Sequence, residues 1–107
     1  MYKVIAIYKA PANDEAKIKF DGYFRETHEP ICLAIPGIVE LRLNRVFGGP
    51  TGASPLHLVA EMVFENKDDW KAAMKSPEMM ESGKDAMKFA GELVSVHFAE
   101  ETIRQAV

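Results

Sequence analysis

Two segments of alternating side chains, joined by a loop of glycine and proline, constrain the fold of this chain most. Apolar and polar residues alternate over residues 38–47 (IVELRLNRVF), and residues two apart again share a face over residues 56–64 (LHLVAEMVF). Successive side chains point to opposite faces of a β-strand, so each segment predicts a strand. The intervening residues 48–55 (GGPTGASP) are typical of a loop. The whole stretch therefore predicts a long antiparallel hairpin.

Two further strands are predicted near the ends of the sequence. Residues 2–9 (YKVIAIYK) are rich in β-branched and aromatic side chains and stop just before Pro11. Residues 93–100 (LVSVHFAE) alternate again and follow Gly91, a common helix terminator. These segments predict the first and the fourth strand.

Helical periodicity fills the gap between the first two strands. From Asp14 onward, apolar residues recur at three- and four-residue spacing, with Asn13 or Asp14 as the N-cap. A residue that precedes proline is disfavoured in helical geometry. Pro30 therefore predicts that this helix ends near residues 28–29.

Two helices in tandem are predicted between the third and fourth strands. Asn66 caps residues 67–75, and Ser76 caps a second helix that reaches about residue 89. The resulting order of elements is the split β-α-β-β-α-β arrangement of ferredoxin-like α+β folds. In such a fold, residues 1–107 form one domain, and the first and third strands lie in the centre of an antiparallel sheet with both helical segments on one face.

The strand patterns assign side chains to the two faces of this sheet. The helix-covered face is predicted to carry Leu41, Leu43, Leu58, Ala60, Met62, Val94, Val96 and Phe98. The other face is predicted to carry Glu40, Arg42, Asn44, His57, Val59, Glu61, Val63, Leu93, Ser95 and His97. That second face is too apolar for a solvated surface and too polar for a dry core. We therefore expect a homodimer whose barrel-like interior holds a small, mostly apolar molecule.

Charge and composition argue against several classes of function. The net charge is −3 and the pI is near 5.6, so a nucleic acid partner is not expected. The apolar runs are far shorter than the roughly 20 residues that span a bilayer, and no secretion signal is visible, so we expect a cytoplasmic protein without a membrane partner. A single cysteine, scattered histidines and the lack of a nucleotide-binding motif predict no disulfide, no metal site and no cofactor.

His28 is the first candidate for chemistry. It follows Phe24 by four residues, so it lies on the buried stripe of the first helix near the C-terminal end of that helix. One interpretation is a packing or capping histidine that bonds a backbone carbonyl. The other is a general base, or a hydrogen-bond donor to a ligand at the edge of the cavity. The helix end favours an imidazolium and burial opposes it, so both charge states stay open.

The mixed face of the sheet supplies a second set of candidates. His57 and Glu61 lie four residues apart on one predicted strand face, about 13 Å by strand rise, so both could flank one ligand. A cross-strand ion pair with Arg42 is the alternative explanation for Glu61. His97 shares this face by alternation, and is either a second titratable group of the cavity or a hydrated structural histidine.

The chain resembles the EthD family, named for a protein of ethyl tert-butyl ether degradation, within the dimeric α+β barrel superfamily. The resemblance rests on the spacing of aromatic, histidine and proline residues in FDGYFRETHEP, and on YKAP, IPGI, HLVAEMVFEN, SPE and GELVSVHFAEE. It implies a ferredoxin-like dimer. Related barrels include cofactor-free monooxygenases, polyketide cyclases and haem-degrading enzymes, which use a histidine or a polar cavity group to move a proton or hold a substrate.

By this resemblance the site would contain two kinds of residue. The expected catalytic residues are His28 and Tyr23, and His57 and His97 are expected to bind substrate. The patterns of the helix and the sheet face add Phe24, Glu61 and Arg42 to the expected substrate-binding residues. We expect a cofactor-independent oxidoreductase or proton-transfer enzyme of aromatic or ether catabolism, in which neutral His28 accepts a proton. A non-catalytic carrier of a hydrophobic ligand, assisting an oxygenase, is the alternative, and haem binding is the third interpretation.

Overall fold

The computed structural model describes residues 1–107 and contains one four-stranded sheet. Its strands are β1 (Tyr2–Lys9), β2 (Ile38–Arg45), β3 (Leu56–Phe64) and β4 (Val94–Glu100). Their order across the sheet is β2-β3-β1-β4, and every neighbouring pair is antiparallel. The predicted ferredoxin-like α+β arrangement, with the first and third strands in the centre, is confirmed.

Four helices accompany this sheet. They are α1 (Asp14–Tyr23), α2 (Glu29–Leu33), α3 (Lys67–Met74) and α4 (Pro77–Ala90). The side chains of Asn13, Asn66 and Ser76 accept backbone N–H bonds at the starts of α1, α3 and α4, as expected for these residue types. None of the helices combines the length and apolar character needed to cross a membrane.

The first helical segment does not end before Pro30, so that prediction is wrong. A π-helical turn, Phe24–His28, joins α1 directly to α2, and the backbone N–H of Glu29 donates to the carbonyl of Phe24. Pro30 then lies in the first turn of α2, where its missing N–H is tolerated. The wider turn before it gives the proline ring room that a continuous α-helix lacks. His28 consequently lies within a continuous helical segment.

The core between the helices and the sheet has two parts. One part groups Val4, Met62 and Phe64 with Cys32, Ile35 and Ala73. The other groups Tyr8, Leu58 and Ala60 with Phe20, Phe24 and Ala90. The helices lie over the central strands, so the predicted core residues of the edge strands remain accessible: Leu43, Val96 and Phe98 are 42%, 53% and 60% exposed.

A β-bulge moves His57 away from its predicted face. The register between β1 and β3 shifts between Tyr8 and Lys9, and His57 is the extra residue in β3. The bulge brings its ring to α1, where Nε2 lies 2.7 Å from a carboxylate oxygen of Asp21. The prediction that His57 shares a face with Glu61 is therefore wrong.

Candidate functional site

Asp85 of α4 joins two residues of the first helical segment. The hydroxyl of Tyr23 donates a 2.5 Å hydrogen bond to one carboxylate oxygen of Asp85, and Nδ1 of His28 lies 2.8 Å from the other. An ionised carboxylate only accepts hydrogen bonds, so His28 carries its proton on Nδ1 and donates it. The opposite ring nitrogen, Nε2, then holds a free lone pair. We call Tyr23, Asp85 and His28 the triad.

The π-helical turn explains why Tyr23 and His28 reach the same carboxylate. In an α-helix the residues that share a face are three or four apart, whereas Tyr23 and His28 are five apart. The backbone bond of a π turn spans five residues, so it brings residues at that spacing onto one side. The turn over Phe24–His28 therefore aligns both side chains toward α4.

Burial keeps the His28 ring neutral. A carboxylate 2.8 Å away favours the imidazolium, but the residue is only 2% exposed. Loss of hydration on burial outweighs Asp85 and lowers the pKa of His28 below its usual 6.5. The ring is therefore uncharged at neutral pH, and Nε2 is able to accept a proton. The hydrogen bond to Asp85 raises the pKa of Tyr23, so the phenol stays protonated.

Aromatic rings enclose the triad. The ring centroid of Phe89 lies 4.8 Å from that of Tyr23 and 5.0 Å from that of His28. Phe24 packs on the imidazole at a centroid distance of 5.2 Å. Hydrogen bonds are stronger in such apolar surroundings than in water, so the orientation of His28 is well fixed.

A cleft of about 470 Å³ opens beside the triad, between α1 and α4. It is lined by Pro11, Ala16, Lys19, Phe20, Tyr23, Lys88, Phe89 and Leu93. Tyr23 is the triad member on its wall, whereas His28 is connected to the cleft through Phe89 and, by way of Asp85, through Tyr23. Both the volume and the mainly apolar lining are typical of sites for small molecules.

The other predicted site residues lie apart from the triad, with one exception. Phe24 is buried in the core against His28 and does not line the cleft. Arg42, Glu61 and His97 stand in one row of the sheet, with Ile5 between the last two. Their face, which carries no helix, is called the open face below. The structure thus brings the two expected catalytic residues together and separates them from most of the expected binding set.

Ion pairs dominate the open face. Lys3 Nζ lies 2.6 Å from Glu61 and 2.7 Å from Glu101, while Arg42 pairs with Glu40 and Glu101. Glu61 stands opposite Arg42 in the ladder but bonds Lys3, so the predicted ion pair between Arg42 and Glu61 is not formed. The hydrogen bond from Lys3 lowers the pKa of Glu61.

Asp85 is the site residue that the sequence interpretation missed. A signal for it exists, because Asp85 lies three residues after Ser82 and four before Phe89, on the inward stripe of α4. A carboxylate on such a stripe needs a buried partner. His28 and Tyr23 are those partners.

A family model described as the EthD domain matches residues 13–92. The chain belongs to the EthD family. This EthD chain is 38% identical to an EthD family protein from Bacillus halodurans C-125, whose crystal structure superposes with a TM-score of 0.86 over 95% of this chain and 99% of that one. It is 29% identical over 104 residues to an uncharacterised 11.0 kDa protein of the thcB-thcC intergenic region of Rhodococcus erythropolis, covering 94% and 95% of the two chains. The resemblance seen in the sequence is confirmed.

Less similar structures share the fold of the EthD chain. A dimeric protein of unknown function with a ferredoxin-like fold, from Bacteroides fragilis, matches with a TM-score of 0.63 at 20% identity, over 94% and 95% of the two chains. A mutant of SnoaB, a cofactor-independent oxygenase from Streptomyces nogalater, matches with a TM-score of 0.61 at 19% identity, over 99% and 94%. At such identities the likeness concerns the fold alone.

Proposed function

We propose that this EthD chain is a cofactor-independent enzyme that moves a proton between His28 and an oxygenated, largely apolar substrate bound in the cleft. The observation that carries the proposal is the carboxylate of Asp85, which joins Tyr23 on the cleft wall to a neutral histidine. A carboxylate that fixes the tautomer of an imidazole leaves the other nitrogen to act as a base. SnoaB, which has the same fold, is described as a cofactor-independent oxygenase, and this supports the class of chemistry.

The ring of Phe89 lies between the cleft and the base. A ligand that displaces this ring would reach the His28 imidazole as well as Tyr23. The Tyr23 proton is donated to Asp85, so the phenol oxygen accepts a hydrogen bond from a ligand hydroxyl. Nε2 takes the proton of the substrate, and the electron pair of the broken bond stays on the substrate. The imidazolium that forms is paired with Asp85 until the proton is returned.

One observation favours a second candidate function, the carrier of a hydrophobic molecule. His28 is 2% exposed and does not line the cleft. A ligand that leaves the Phe89 ring in place would bind without touching the base, and would be released unaltered. The two functions differ in turnover and not in the place of binding.

We also propose that a second copy of the chain covers the open face. That face carries half-buried apolar side chains, among them Ile5 and Val59, between its ion pairs. No helix lies on this side of the sheet, where Glu101, just after β4, reaches across to Lys3 and Arg42. The protein from Bacteroides fragilis with this fold is described as dimeric. The ligand site proposed here lies on the helix side, not in the cavity between two sheets that the sequence predicted.

Hydrogen exchange into a carbon acid tests the proposed chemistry. With 2-tetralone and 2-indanone as probes in D2O, the protein should accelerate exchange of the protons beside the carbonyl group, as followed by NMR. A positioned base contributes roughly 10²- to 10⁴-fold, so His28→Gln should remove about that much of the acceleration. Asp85→Asn, which disturbs the tautomer, should lower the rate in the same direction. His97→Gln, the same change at a histidine of the open face and outside the triad, is the matched control.

Three outcomes separate the alternatives. Loss of exchange in the His28 and Asp85 variants, with His97→Gln unaffected, supports the enzyme. Probes that bind in the cleft and are recovered without exchange at any pH from 5 to 9 support the carrier. Equal acceleration by the wild type and His28→Gln overturns the role of the triad.

A further inference from the structure

We infer that the cleft selects an amphipathic organic anion, an aromatic or aliphatic body that carries one carboxylate or comparable acid group. The inference rests on the proposed function, because it names the substrate class of the same cleft. It goes further by assigning Lys19 and Lys88 to recognition of the negative charge.

The charged groups of the cleft wall all have one sign. Lys19 comes from α1 and Lys88 from α4, so cations stand on both helices that form the cleft, and no acidic residue lines it. Neither lysine has a carboxylate oxygen within 4.0 Å, unlike Lys3 and Lys17. The chain as a whole has a net charge of −3, so the positive charge of the cleft wall is opposite in sign to the net charge of the protein.

The acid of the triad does not pair with these lysines. Asp85 accepts from Tyr23 on one oxygen and from His28 on the other. No lysine lies within 4.0 Å of this carboxylate, whose ion-pair partner is His28. The positive charge of Lys19 and Lys88 therefore remains available to a ligand.

A hollow next to the cleft indicates the orientation in which the ligand binds. This hollow, of about 720 Å³, shares Pro11, Ala16, Lys88, Phe89 and Leu93 with the cleft, so the two form one groove. Its additional lining includes Met87 and Ala90, and also Glu92. A carboxylate at that end would meet the charge of Glu92, whereas the Lys19 end presents only cations. The acid group of the ligand is therefore placed near Lys19, and its apolar body extends toward Met87.

The two lysines contribute selectivity more than affinity. Ion pairs between exposed groups are weak and are screened by salt, and each lysine should account for about a 1.4- to 5-fold change in affinity. The apolar walls supply the rest. A matched pair of ligands with and without the anionic group is thus the appropriate probe.

Two fluorescent probes with the same skeleton make this test. 8-Anilinonaphthalene-1-sulfonate carries a sulfonate, and N-phenyl-1-naphthylamine lacks it. The wild type should bind the sulfonate probe more tightly than the neutral probe. Added salt should lower the affinity for the sulfonate probe only. The double variant K19Q/K88Q should lose about 2- to 30-fold in affinity for the sulfonate and keep its affinity for the neutral probe. The double variant K71Q/K84Q has the same change in charge on exposed lysines outside the groove, and should change neither affinity.

A blocking variant keeps this inference separate from the proposed function. Ala16 lines both parts of the groove and is partly accessible, so Ala16→Phe should fill the groove and weaken both probes while the melting temperature shows that the chain is folded. If Ala16→Phe weakens both probes but K19Q/K88Q weakens neither, the groove is a ligand site and the selection of anions is wrong. If Ala16→Phe leaves both probes bound as before, the groove is not the site, and the inference fails together with the binding part of the proposed function.

Discussion

Asp85 accepts hydrogen bonds from Tyr23 and His28, and this places it at the centre of the site. Removing either donor leaves one oxygen of this carboxylate without its hydrogen bond, which costs roughly 1–3 kcal/mol. A thiol is also nearby, but burial raises the pKa of Cys32 to about 11, so Cys32 is a poor nucleophile. The imidazole of His28 is therefore the residue to which proton transfer is assigned.

The neutral state of His28 makes a prediction about stability. Its folded-state pKa lies below 6.5, so between these two values the unfolded chain binds more protons than the folded one. The free energy of unfolding should therefore fall as the pH is lowered from 7 through 6.5 toward the folded-state pKa. The contribution of this one group has a slope of at most about 1.4 kcal/mol per pH unit. Urea denaturation at a series of pH values measures it.

A histidine variant isolates that slope. His28→Gln removes the titrating group and should flatten the dependence in this window, whereas His97→Gln retains His28 and should keep it. Below about pH 4.5 a further loss belongs to Asp21, Glu61 and Glu101, whose pKa values are lowered by hydrogen bonds from basic partners. Stability that rises between pH 7 and 5 in the wild type, and not in His28→Gln, would show that the buried ring is charged.

At the scale of elements, the sequence predicts those helices, strands and caps that are determined by neighbouring residues. The hairpin of β2 and β3 and the caps Asn66 and Ser76 follow from alternation and residue type, and they are where the pattern places them. The π turn before Pro30 has no local signal, because a proline normally marks the end of a helix. The bulge at His57 likewise depends on the register with β1.

For the site, too, the sequence predicts the residues that have a local signal and misses the one that depends on tertiary packing. Periodicity places His28 on the buried stripe of its helix, and resemblance adds Tyr23. The third member, Asp85, is separated from His28 by 57 positions and reaches it only when α4 packs on the first helical segment. Contacts of this kind arise from tertiary packing, so a pattern within one helix indicates a buried acid but not its partner.

At the scale of the whole molecule, the two sides of the sheet have different tasks in these proposals. The helix side holds the cleft and the triad, while the open face holds the ion pairs of Lys3 and Arg42. A second copy on the open face would leave the entrance between α1 and α4 free. Dimer formation and ligand binding are thus expected to be separable.

Sedimentation velocity at micromolar concentration tests the dimer. The wild type should sediment as a particle of twice the 11.9 kDa chain mass. Val59→Lys places a charge in the middle of the open face and should yield the single chain, with its fold retained. Ile18→Lys makes a comparable change on the exposed side of α1, where Ile18 is 74% exposed, and should stay dimeric. A wild-type particle of single-chain mass would contradict the proposal.

The most direct measurement is the side-chain ¹⁵N–¹H spectrum of the histidines at pH 7, recorded with and without 8-anilinonaphthalene-1-sulfonate. The triad predicts that His28 is neutral, with its proton on Nδ1 and none on Nε2. It also predicts that its signals move when the probe fills the cleft, because Tyr23 and Phe89 connect the two. A doubly protonated His28, a proton on Nε2, or signals that stay unchanged when the cleft is filled would contradict a base held by Asp85 and coupled to the ligand.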